Sequence, residues 1–301
     1  MRRLLGVALI VVGILVALAT VGKFVIGSFD LFPAQEGSQS TSFPLDGIRE
    51  IEVDSRSSQV IIASASGDQI DIHWQTPFNL KSTLETKREG DLLKIDTGQR
   101  PFQFIWHMVA WIHPGYKEEL RVAIPRSYQH ALSVDSSSGP VSISGLEGLT
   151  ELEVDTSSGH VTVEGISTEN FYFDGSSGHL TVRDLTARYS EIDISSGQVT
   201  LENITGEIRG NSSSGSVLID TPDLEAPIRW RSSSGSITLR LPDDAAFALD
   251  VQTSSGSIHS DFPIMVHSQS ERQLKGTVAD GQIPVELKVS SGSIKIERRT
   301  P

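Results

Sequence analysis

The chain has 301 residues, 25 Lys+Arg against 38 Asp+Glu, and no cysteine. No disulfide or thiolate metal site is open to it, so stability rests on an apolar core and a backbone ladder. From residue 24 onward the net charge is −16, which disfavours nucleic acid and anionic lipid headgroups as partners and suits a soluble body outside the cell.

The N-terminus reads Met1-Arg2-Arg3, then runs from Leu4 to Gly22 without a charge. As a helix that run is roughly 28 Å long, enough to cross a bilayer core. Arg2 and Arg3 keep the N-terminus in the cytoplasm and the body outside. Residues 1–32 therefore predict a single transmembrane helix with its flanks, in the cell membrane. The competing reading is a secreted protein, cleaved near Ala19 after Ala17-Leu18-Ala19. The further apolar Phe24-Val25-Ile26 favours the uncleaved anchor, and without cysteine no lipoprotein anchor is possible.

Residues 33–45, with Pro33, Gly37, Ser38, Ser40, Ser42 and Pro44, read as a linker. Residues 46–119 hold irregular β rungs: Ile48–Val53, Val60–Ile62, Ile70–Ile72 and Leu92–Ile95. Their turns, Ser57-Ser58-Gln59 and Ser66-Gly67-Asp68, are degenerate relatives of a motif that dominates the rest of the chain. An aromatic insertion, 101–117, breaks the pattern with Phe102, Phe104, Trp106, Trp111 and Tyr116. It predicts either a cap over the end of the β stack or an exposed contact surface, with Phe102, Phe104, Trp106 and Trp111 as the partner-contact candidates.

From residue 120 to 301 one tripeptide organises the chain. Ser-Ser-Gly recurs with glycines at 139, 159, 178, 197, 215, 235, 256 and 292, spaced 20, 19, 19, 18, 20, 21 and 36 residues apart. Aligned on the glycine, the fifth residue before it is apolar in most copies (Val134, Val154, Phe173, Ile192, Trp230), as are the second and fourth after it (Val141 and Ile143, Val161 and Val163). Polar residues such as Glu153, Thr162, Glu191 and Thr200 lie between. Period-two alternation places the apolar columns inside and the polar ones outside. One coil cannot bury its own inner face, so coils must stack, at about 4.8 Å per rung. The prediction is an all-β, single-stranded β-solenoid with coils of about 19 residues, the regular ones forming a rod roughly 40 Å long. The 36-residue interval, with an insertion around Phe262 to Gly281, reads as one long coil or two. An antiparallel sandwich of Ser-Ser-Gly hairpins is the alternative fold, disfavoured because sandwich strands rarely share identity by rung.

The segments Leu120–Pro125, Leu132-Ser-Val-Asp-Ser-Ser-Ser-Gly-Pro-Val-Ser-Ile143 and Gly281-Gln-Ile-Pro-Val-Glu-Leu-Lys-Val-Ser-Ser-Gly-Ser-Ile294 resemble the bacterial "putative adhesin" family. That family is a β-strand-repeat domain of unknown function that includes LiaG-like membrane-anchored envelope proteins. The resemblance covers roughly residues 45–298. It implies a β-solenoid in the cell envelope, often near envelope-stress signalling, and brings no catalytic residues with it.

The sharpest candidate chemistry is a column four residues before each glycine: Asp135, Asp155, Asp174 and Asp193, then Asn211, Arg231, Gln252 and Lys288. Neighbouring carboxylates at rung spacing repel by about 0.9 kcal/mol in water and about 3.5 kcal/mol at an effective dielectric near 20. Such a ladder splays into solvent, raises its pKa values, or takes a cation; all-oxygen ligands point to calcium rather than zinc. No other cofactor is expected. His160 and His179 follow their glycines on adjacent rungs and have no evident third ligand, so they read as turn residues. The serines have no Gly-x-Ser-x-Gly elbow or in-register histidine base, so they read as turn chemistry.

The functional expectation is a non-catalytic, membrane-anchored interaction module, adhesin-like or accessory to a stress response, with an envelope protein or surface glycan as partner. Two alternatives stand beside it: a polysaccharide-acting β-helix enzyme using the acidic ladder, and a self-assembling structural element.

Overall fold

The computed structural model describes residues 37–76, 84–98 and 118–299. The anchor expected over residues 1–32 and the contact candidates Phe102, Phe104, Trp106 and Trp111 lie outside these residues. No helix among the described residues is long and apolar enough to cross a membrane. The described chain is all β, sixteen strands joined in one sheet.

The regular rungs form as the alternation dictates. Strands β8 (Ala131–Ser136) and β9 (Val141–Ser144) flank the first Ser-Ser-Gly turn. β10 (Leu149–Asp220) is one continuous β path through the next four turns, and β11 (Ile228–Leu241) carries another. The pairing is parallel and in register by repeat: Val134 lies beside Val154, Val141 beside Val161, and Val217 beside Ile237. Hairpins at the Ser-Ser-Gly turns would make the flanking strands antiparallel partners of each other, so the parallel register rules out the sandwich.

The inward columns are buried along the whole stack. They include the expected Val134, Val154, Phe173 and Ile192, and a further row seven residues before the glycine: Leu132, Leu152, Phe171, Ile208 and Ile228. Three residues before the glycine runs a buried row of mostly small polar groups: Ser136, Thr156, Ser212, Ser232 and Thr253. Ser136, Thr156, Ser232 and Thr253 donate to backbone carbonyls inside the bend, Ser136 to Gly139 at 3.4 Å and Ser232 to Ser234 at 3.2 Å. Burial without a partner would cost each hydroxyl a few kcal/mol, roughly 1–3.

The turn glycine is required twice over. At Gly235 φ is +125°, and an added Cβ would lie 1.7 Å from the carbonyl oxygen of Gly215 in the rung beneath. Each turn thus packs its backbone directly on the preceding turn, with no room for a methyl group. Gly210, the one glycine in an otherwise apolar column, has a different cause. The Trp230 ring of the next rung fills the space, and a Cβ at Gly210 would meet it at 2.2 Å. Trp230 is fully buried, and its indole N–H donates to Ser212 Oγ at 3.2 Å.

At both ends the order of rungs in space departs from their order in the chain. β2 (Glu50–Ser55) and β3 (Gln59–Ala65) lie against β8 and β9 on one side. On the other side they meet β6 (Leu92–Asp96) and β7 (Glu119–Pro125), so the first rung in the chain is second in the stack. At the far end β16 (Ile283–Arg298) inserts between β11 and the rung formed by β12 (Phe247–Ser255) and β13 (Ile258–Ser260). The core columns explain this. β16 offers Val285, Leu287, Ile294 and Ile296, all fully buried, whereas the β12–β13 rung has Ser260 where other rungs are aliphatic and an Ile258 that is only half-buried. The better-filled rung takes the interior slot.

Antiparallel strands close both ends. β1 (Gly37–Pro44) pairs with β4 (Gln69–Thr76), which pairs with β7; β5 (Glu85–Glu89) pairs with β6. β15 (Gln273–Val278) pairs with β12, and β14 (Met265–Ser270) pairs with β15. The long interval is therefore neither one coil nor two; it is a capping hairpin followed by a rung that returns inward. Lys295, Glu297 and Arg298, which look in sequence like charges guarding the last edge, stand in an interior rung. The terminal strand is β14, with Met265 and Val266 exposed.

Candidate functional site

The outward-facing column four residues before each glycine is the most organised chemical feature of the described surface. Its spatial order is Asp96, Asp54, Asp135, Asp155, Asp174, Asp193, Asn211, Arg231, Lys288 and Gln252. Strand register aligns Asp96 with Asp54, Asp54 with Asp135, and Asp135 with Asp155. The stacked turns of Gly159, Gly178, Gly197 and Gly215 carry the column through Asp174 and Asp193 to Asn211. Register then aligns Asn211 with Arg231, Arg231 with Lys288, and Lys288 with Gln252. The four predicted aspartates are thus on consecutive rungs, as expected.

Two more aspartates, Asp54 and Asp96, extend the row, and the signal for Asp54 lies in the sequence. Asp54-Ser55-Arg56-Ser57-Ser58 repeats the spacing of Asp135-Ser136-Ser137-Ser138-Gly139. The adjacency of Arg231 and Lys288 has no such signal, because it depends on β16 inserting ahead of β12.

The acidic end responds electrostatically as a row of like charges must. Partial burial and then the carboxylates of Asp96 and Asp135 push the Asp54 pKa above the ordinary value. Burial, followed by Glu153, Asp174 and Asp135, pushes Asp155 in the same direction. Among the described residues no three acidic, imidazole or thiol groups converge to hold a metal ion. The aspartates form a row, one per rung, rather than a cage around a point.

The change of sign is buffered. Asn211 donates its side-chain N–H to Asp193 at 2.8 Å and stands between that carboxylate and Arg231. Asp193 and Arg231 are two rungs apart, roughly 10 Å along the stack. An acid and a base so separated do not form a compact acid–base pair.

Beside this column, two residues before each glycine, runs an unbroken row of serines, including Ser195, Ser213, Ser233, Ser290 and Ser254. The two rows border an open groove of about 610 Å³ that extends from Asp174 past Arg231 to Gln252. Its floor contains Ile194, Ser212, Ser232 and Val289. The groove is long, shallow and polar, with carboxylates at one end, two cations at the other, and hydroxyls along one rim.

Most neighbouring cations are neutralised. Arg229 pairs with Glu207 at 2.9 Å and Glu286 at 3.4 Å, Arg240 with Glu297 at 3.2 Å, Lys275 with Asp250 at 2.9 Å, and Lys94 with Glu52 at 2.6 Å. Arg231 and Lys288 have no such partner among the described residues. His160 and His179 stack face to face, centroids 4.4 Å apart and planes 2° apart, as adjacent-rung turn residues.

This geometry defines a class: a rigid parallel β-coil that displays a fixed row of side chains. The chain belongs to the Toastrack DUF4097 family, whose model matches residues 48–297. It is similar in fold to a structure from Bacteroides fragilis described as a "putative adhesin", with a TM-score of 0.52 and 11% identity, covering 88% of this chain and 99% of that one. It is also similar to a structure from Parabacteroides distasonis described as a "putative lipid binding protein", with a TM-score of 0.50 and 14% identity, covering 86% and 96%. No curated protein matches the chain.

Proposed function

We propose that the chain is a non-catalytic interaction module of the bacterial envelope. Residues 1–32 hold it in the membrane with the N-terminus inside, and the β-coil presents the charged column and its groove to an envelope protein or surface glycan outside. An accessory part in envelope-stress signalling is consistent with that position. The observation that carries the reading is the column itself. It changes sign once along its length, and its backbone is fixed by ladder bonds on both sides. A parallel ladder holds side chains at constant spacing with little conformational freedom, so binding costs little further ordering. Calcium bridging a partner to the Asp135–Asp193 rungs belongs to the same reading.

The test fills the groove without changing its charge. Ser233→Trp projects a large side chain from the exposed rim. The full-length protein, with residues 1–32 shielded in detergent micelles, should lose at least fivefold of its retention on detergent-washed envelope fragments, with an unchanged melting temperature. Retention equal to wild type with a blocked groove would overturn the docking face.

A further inference from the structure

Arg231 and Lys288 are adjacent in register, and neither has a hydrogen-bond or ion-pair partner among the described residues. By contrast, nearby Arg229, Arg240 and Lys275 each pair with an acid. The column residue on each side is an uncharged amide, Asn211 and Gln252, where an aspartate would have neutralised the pair. Asn211 donates its side-chain N–H to Asp193 and, being neutral, leaves the charge of Arg231 uncompensated. The serines of both rungs, Ser233 and Ser290, line the same groove with their hydroxyls exposed.

Two like charges held side by side, flanked by amides and hydroxyls, are the composition that recognises a phosphate-type oxyanion. Guanidinium binds two of its oxygens in a fork, ammonium supplies a point charge, and neutral donors fill the remaining lone pairs. We propose that the Arg231–Lys288 end of the groove binds the phosphate group of a linear envelope polymer. The inference rests on the docking reading above and names the ligand chemistry for it. A polymer fits better than a bilayer. A single chain lying at the groove's basic end meets the two cations, whereas a flat anionic surface would also press against Asp174 and Asp193 and be repelled by them.

The test uses the full chain and a fluorescent glycerol-phosphate oligomer, followed by anisotropy. Wild type should bind saturably. Arg231→Gln/Lys288→Gln should weaken binding at least tenfold, and Asp174→Asn/Asp193→Asn should tighten it by removing repulsion. Phosphatidylglycerol vesicles should compete no better than phosphatidylcholine vesicles. Absence of binding at millimolar oligomer, or binding that survives loss of both cations, would overturn the proposal. Competition specific to phosphatidylglycerol would overturn the choice of a polymer over a lipid. If the oligomer fails to bind while Ser233→Trp still lowers envelope retention, the docking reading stands and the phosphate assignment falls.

Discussion

The middle of the stack and its two ends solve one problem differently. Between residues 131 and 241 each rung lies on the one before it in the chain, and the turn glycines pack backbone on backbone. At the ends chain order gives way, and antiparallel strands cover the last rungs. In the middle the strand residues find parallel partners in the rungs above and below. An end rung has a partner on one side only, so hairpins supply the missing bonds and limit open-edge pairing. Repetition sets the interior, and unmet backbone demand sets the ends.

Glycine substitutions test that difference most severely. Gly235→Val in the middle would drive a side chain into the Gly215 carbonyl and impose φ +125° on a β-branched residue. We expect a loss of about 3 kcal/mol or more, read as a collapse of the urea midpoint or of soluble yield. Gly67, in the N-terminal end region, also has a positive φ, +119°, but no atom lies within 4 Å of its would-be Cβ. Gly67→Ala should therefore cost only backbone strain, about 1 kcal/mol. Equal losses at the two sites would remove the distinction.

A smaller effect, dependent on pH, should be common to the two regions. Asp54 near the end and Asp155 in the middle both have raised pKa values in the folded protein. A carboxyl whose folded pKa lies above its unfolded one contributes stability when protonated and loses it as pH rises through the folded value. Asp54→Asn and Asp155→Asn should each be more stable than wild type at pH 7. The difference should shrink as pH falls towards the ordinary value near 3.8. Urea midpoints at several pH values measure it; a gain independent of pH would exclude the ionised carboxylate as its source.

The sequence makes the interior legible because each rung repeats the same constraint. Ser-Ser-Gly marks the bend, the residues flanking it mark the core, and Asp135, Asp155, Asp174 and Asp193 fall into line by counting. Gly210 reads as a gap in that count and becomes intelligible only against Trp230, a neighbour across the ladder. The ends were illegible for a stronger reason. Nothing local in Gln252 or Lys288 says which lies beside Arg231, since that depends on the competition of two whole rungs for an interior slot. Ser260 hints at the outcome, being polar in a core column, yet one residue does not reveal that the later rung doubles back. Half of the groove was therefore readable, its acidic rungs, while the paired cations at the other end were not.

That adjacency is open to direct measurement, because the chain has no cysteine. Neighbouring positions on paired strands lie within disulfide range. Oxidation of Arg231→Cys/Lys288→Cys should give an internal disulfide, seen as a mobility shift reversed by reductant, while Arg231→Cys/Gln252→Cys should stay reduced. A bond formed in the second variant and absent from the first would mean that the rungs stack in chain order. The basic end of the groove would then not exist.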